Sequence, residues 1–97
     1  MAISSKFRAS LRARAHHLSA TVHVGKHGFT PELVRSLDDA LRANELVKVQ
    51  LPKQSDTKAR NEAVELARAV AAEVIQVIGK TVTLYRAKPE VPRDIAY

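Results

Sequence analysis

Val22-His23-Val24-Gly25-Lys26-His27-Gly28-Phe29-Thr30-Pro31-Glu32-Leu33 changes its structural signal twice within a few residues. Thr21 to Val24 alternates at period two and is rich in β-branched side chains, which reads as a short strand. Thr30 has the chemistry of a helix N-cap, Pro31 suits the first helical position, and Glu32 falls in the first turn. Between strand and helix, Gly25 and Gly28 flank one fixed positive charge, Lys26. Glycine accepts positive φ and leaves no Cβ in the way, so a partner can approach the main chain. The helix that follows begins with unpaired N–H groups and the positive end of its dipole. The spacing therefore predicts strand, loop and helix with phosphate contact on offer. The same four residues also suit a plain strand-to-helix turn with a solvated lysine.

Outward from the loop, Phe7, Leu11, Ala15 and Leu18 follow helical spacing over Ser4 to Leu18, with Lys6, Arg8, Arg12 and Arg14 largely off that stripe. This predicts a basic amphipathic first helix docked on its own domain. Downstream of Thr30, Leu33, Leu37, Ala40 and Leu41 form a helical apolar face, and Asn44 is a residue that tolerates the left-handed conformation at a helix end. Leu46 to Leu51 reads as a strand with Val47, Val49 and Leu51 on one side, stopped by Pro52. Ser55 or Asp56 caps a third helix to about Ala72, whose buried face is Ala63, Leu66, Ala67 and Val70. Val74 to Ile78 and Thr81 to Tyr85 are strands linked by Gly79-Lys80, which suits a type II′ hairpin and makes them antiparallel. The order α-β-α-β-α-β-β, with helical crossovers between the earlier strands, predicts a two-layer α/β sandwich. Residues 1–87 are expected to form one domain, and 88–97, with Pro89 and Pro92 among charges, a mobile tail.

The 97-residue length allows one core and no second domain. With no cysteine, disulfides and thiolate chemistry are excluded, which suits a cytoplasmic protein. No run approaches the apolar length of a signal peptide or membrane span. The net charge of +6 is unevenly placed. Residues 1–35 hold six basic side chains against Glu32 alone, a net +5, while the remainder holds ten basic and nine acidic ones, a net +1. Such asymmetry points to a polyanion.

No catalytic constellation assembles from spacing. His16, His17, His23 and His27 fall on a helix, a strand and a loop with no pair on one face, so neither a metal site nor a cofactor is expected. Asp38 and Asp39 diverge as helix neighbours and read as a solvated face rather than a paired acid and base. The glycine loop has neither Walker nor GxGxxG spacing, which argues against a free nucleotide or other small-molecule substrate. A polymer phosphate remains, gripped as a GXXG loop grips nucleotides in KH domains. Lys26 and the amides from the loop to Leu33 would make the grip, and Arg8, Arg12 and Arg14 would extend the track. Aromatic content is only 4%, and Phe29 and Tyr85 are expected in the core, so base stacking is expected to be minor.

Ala15-His16-His17-Leu18, Val22 to Thr30, Glu45-Leu46-Val47-Lys48-Val49, Gln76 to Lys80 and Leu84-Tyr85-Arg86 together resemble the bacterial stand-alone CRM-domain proteins of the YhbY type, in order and register over roughly residues 5 to 87. The resemblance implies an RNA-binding domain associated with precursors of the large ribosomal subunit. It also implies a fold similar to the C-terminal domain of bacterial translation initiation factor three, with a four-stranded mixed sheet. The family's GxxG loop falls on Gly25 to Gly28 and its basic position on Lys26, while His27 stands where many members carry asparagine. The expectation is a monomeric accessory protein of ribosome assembly that binds large-subunit rRNA without turnover. Its rivals are a module that docks a ribosome-associated protein and an RNA-acting enzyme that depends on His23 or His27.

Overall fold

The computed structural model describes residues 4–25 and 28–87. Its elements are α1 (Ser5–Ala15), β1 (Val22–His23), α2 (Pro31–Asn44), β2 (Leu46–Gln50), α3 (Asp56–Ala69), β3 (Glu73–Ile78) and β4 (Thr81–Tyr85), in the expected order. Ser4, Thr30 and Ser55 cap the three helices, their hydroxyls accepting from the amides of Phe7, Leu33 and Lys58. Each cap pairs an N–H that has no carbonyl partner within its helix.

The strands form one mixed sheet in the order β1-β2-β4-β3. β1 runs parallel to β2, and β4 lies antiparallel to both β2 and β3. Although β1 is only two residues long, the Thr21 amide donates to Lys48 O at 3.1 Å and the Val24 amide to Gln50 O at 2.9 Å, so pairing spans the predicted stretch. Gly79 takes φ 57° between β3 and β4, the positive first central residue that a type II′ turn needs.

Alternation along the strands sorts the core. Val47, Val49, Leu51, Val82 and Leu84 face α2 and α3 and, with Leu37, Leu41, Ala63 and Leu66, form the main buried cluster. This is the two-layer sandwich. On the opposite face α1 covers one end of the sheet, where Leu11 and Ala15 pack with Leu46 and Ile75 and against Tyr85. The Phe7 and Tyr85 rings meet edge-to-face, with centroids 5.4 Å apart.

Three helix ends differ from the sequence reading. α1 stops at Ala15 rather than Leu18, because the His17 and Leu18 amides reach back three residues to Arg14 O and Ala15 O, tightening the last turn. At the end of α2, Asn44 stays helical and Glu45 takes φ 61°. α3 ends in a Schellman motif, in which the Ala72 amide donates to Ala67 O at 2.8 Å and Ala71 to Arg68 O at 3.4 Å, with Ala71 at φ 55°. The predicted tail lies outside the described residues.

Asp38 is more than a solvated helix residue. Arg86, just past β4, donates through Nη1 to Asp38 Oδ1 at 2.7 Å and to Val70 O at 2.7 Å, and through Nη2 to Asp38 O at 3.1 Å. Arg42 Nε adds a second ion pair at 3.1 Å. One guanidinium therefore joins the end of the sheet to α2 and to the C-terminus of α3. The hydrogen bond from Arg86, opposed by desolvation and aided by the charges of Arg42 and Arg86, lowers the Asp38 pKa.

Candidate nucleic-acid interface

The glycine loop leaves the sheet at the carboxyl end of β1, an edge strand, and delivers the chain to the N-terminus of α2. The Gly28 amide donates to Gly25 O at 3.1 Å, tying the two ends of the loop together. The two glycines are needed for different reasons. Gly28 has φ +67°, where a Cβ is strained. Gly25 has no such φ, and a Cβ built on it would meet nothing within 4 Å. The fold therefore demands glycine at 28 and tolerates a side chain at 25. Lys26 and His27 lie outside the described residues.

Beside the loop, a cleft of about 430 Å³ runs along β1 and α2, lined among others by His23, Gly25, Gly28, Glu32 and Ser36. Not every nearby amide is available to a ligand. Thr30 Oγ1 takes the Leu33 N–H at 3.1 Å, Thr30 O takes that of Val34, and Pro31 has none. Phe29 is 40% exposed rather than in the core, because it precedes the N-cap and lies in a surface cleft with Pro31, Val34 and Arg35. Tyr85 is half-buried under α1.

The arginines of α1 separate in space. Arg8 reaches the far edge strand, donating from Nη1 to Val74 O at 2.6 Å, so its guanidinium is committed to holding α1 on β3. Arg14 is exposed at the other end of the helix, in a cleft with His17, Ser19, Thr21 and Lys48. Arg12 is partly exposed between them. The structure thus brings Arg14 near the amino end of β1 and leaves Arg8 at the opposite edge of the sheet. Lys48, which the sequence reading used only as a strand residue, joins this surface. Its Nζ donates to Leu18 O at 3.1 Å, pinning the segment after α1. Period-two alternation already placed Lys48 opposite the core, but only the packing of α1 showed that this side stays partly open.

Among the described residues no three His, Cys, Asp or Glu side chains converge as a metal-binding group. No described helix is long and apolar enough to cross a membrane. Fold and surface together define a small α/β domain whose prominent chemistry is a glycine-flanked loop and separated basic side chains on one sheet. The chain belongs to the CRS1/YhbY (CRM) domain family, whose domain matches residues 3–86. It is 31% identical over 88 residues to the probable RNA-binding protein YqeI of Bacillus subtilis, covering 91% of this chain and 92% of that protein. It is also 31% identical over 96 residues to an RNA-binding protein of Haemophilus influenzae, covering 94% and 96%. The solution structure of SAV1595 from Staphylococcus aureus is similar throughout, with a TM-score of 0.81, 29% identity and coverage of 92% and 93%.

Proposed function

We propose that this protein binds structured ribosomal RNA, in precursors of the large ribosomal subunit, through the backbone of the Gly25–Gly28 loop, Lys26, His27 and the cations of α1. It works in the cytoplasm as a monomer, by non-covalent recognition without turnover. The observation that carries the reading is Gly25. The free fold has room for a side chain there and no conformational need to omit one. What glycine provides at that point is close approach by a partner to the main chain, beside a lysine and ahead of a helix N-terminus. The relatives named as RNA-binding supply the polymer, and the resemblance to stand-alone CRM proteins supplies the ribosomal precursor.

Of the helix arginines, the exposed Arg14 and partly exposed Arg12 meet phosphates in this proposal, and Arg8 contributes by anchoring α1. The test compares Gly25→Ala and Lys26→Glu with the parent, measuring the thermal midpoint and affinity for a large-subunit rRNA fragment across a salt series. With about four phosphates contacted, log affinity falls with log salt at a slope near −3 to −4. Gly25→Ala keeps the midpoint and loses affinity. Parent-like binding by both variants, or a salt slope near zero, would sink the proposal.

A further inference from the structure

On the side of α1 the register of the sheet aligns two further cross-strand rows, one partly covered and one open. One row is Gln76, Thr83 and Lys48, of which Thr83 is buried and the other two are partly exposed. The next is Ile78, Thr81, Gln50 and His23, and it ends on the strand that feeds the glycine loop. His16, at the C-terminus of α1, closes a small cleft of about 140 Å³ over the first row with Lys48, Gln76, Ile78, Thr81 and Thr83. We infer that the open second row, bordered by Lys48 and Gln76, seats a single-stranded segment of RNA continuous with the strand gripped by the loop. The inference rests on the RNA reading and extends it from the loop to the sheet.

Charge makes the first argument. No carboxylate stands in either row, whereas Lys48 and two histidines border them and Lys80 sits in the adjoining hairpin turn. In a chain with ten acidic residues, that is a surface kept free of repulsion for phosphate. Lys48 gives one N–H to Leu18 O and has two more to offer.

Side-chain chemistry makes the second. Gln50, Gln76 and Thr81 are partly exposed, and each can both donate and accept. That versatility suits the ribose 2′-hydroxyl, and also the Watson–Crick edges of unpaired bases, which base pairing occupies in a duplex. The rows contain no Phe, Tyr or Trp, so stacking is limited to the imidazoles of His23 and His16 and sequence preference is weak. A protein partner docking by apolar burial would find only Ile78, 60% exposed, among polar neighbours.

The experiment measures binding of a short oligouridylate, the matching oligothymidylate and an RNA duplex. The full chain and its Ile78→Glu, Lys48→Gln, Gln50→Lys and Gly25→Ala variants are compared, with thermal midpoints recorded. Ile78→Glu, at an exposed position, weakens oligouridylate binding about fivefold at low salt, as a carboxylate about 4 Å from a phosphate in the dielectric of water implies. Lys48→Gln reduces the steepness of the single-strand salt slope by about 0.7. Gln50→Lys adds a cation at a partly exposed position, so it tightens binding even if another variant is unstable. Oligouridylate is preferred to oligothymidylate. If Ile78→Glu and Gln50→Lys bind like the parent while Gly25→Ala fails, the sheet face is not an RNA seat and the loop reading survives. If no variant, Gly25→Ala included, changes any RNA affinity, both fall, and the face is left to a protein partner.

Discussion

Replacing Leu11 with alanine should detach α1 without unfolding the domain. Leu11 is fully buried, and its neighbours Ala15, Leu46 and Ile75 form a cluster separate from the main core, which contains no α1 residue. Truncating a fully buried leucine costs about 3 kcal/mol, within the usual range of roughly 2 to 5. α1 has 11 residues, below the length of about 12 to 15 at which isolated helices become even marginally stable, so a helix that loses its docking also melts. The loss therefore falls on a local opening, whose equilibrium constant rises about a hundredfold, since about 1.4 kcal/mol is a factor of ten. Hydrogen exchange read by mass spectrometry would show amides of α1 losing about two orders of magnitude of protection while those around Leu37 and Leu41 in α2 keep theirs. The RNA salt slope should flatten in step, because Arg12 and Arg14 ride on α1. Equal loss of protection in α1 and α2 would refute the separation of the two clusters.

The two ends of α1 should respond differently to arginine replacement. Arg8→Gln lowers the thermal midpoint by releasing Val74 O and leaves the salt slope alone, whereas Arg14→Gln keeps the midpoint and flattens the slope by about 0.7 to 0.9. Asp38 carries a lowered pKa, so its contribution is fully present above its ordinary value of 3.8 and is lost as pH falls through the lower folded value. Asp38→Asn should therefore be less stable than the parent at neutral pH, and thermal melts should show the gap closing below about pH 4. Ala71→Gly should stabilise the domain by about 1 kcal/mol, since a left-handed alanine at the C-terminus of α3 is replaced by the residue without that penalty. That should raise the thermal midpoint by several degrees, and a lowered midpoint would contradict the Schellman geometry.

Much of the fold was legible because its signals are local. Thr30-Pro31-Glu32 marked the start of α2, Gly79-Lys80 marked the hairpin, and the alternation in Leu46–Gln50 assigned Val47 and Val49 to the core. The helix ends were less legible. Glu45 and Ala71 take positive φ against their intrinsic preference, because the chain must turn there into β2 and β3 and the flanking hydrogen bonds hold it. Asp38 looked like a surface charge because its partner, Arg86, is distant in sequence.

The elements, their order and the candidate loop follow from spacings of a few residues, and the concentration of charge in the first third follows from composition. Tertiary structure alone decided which cations share a surface. Arg8, Arg12 and Arg14 are equivalent in a helical pattern, yet docking of α1 across the sheet commits Arg8 to Val74 and leaves Arg14 beside Lys48. The strand order, which sets β4 between β2 and β3, aligns Lys48 with Gln76 and Gln50 with Ile78 across distant parts of the chain. No short-range pattern encodes those rows, because they come from the pairing of strands rather than from any strand alone.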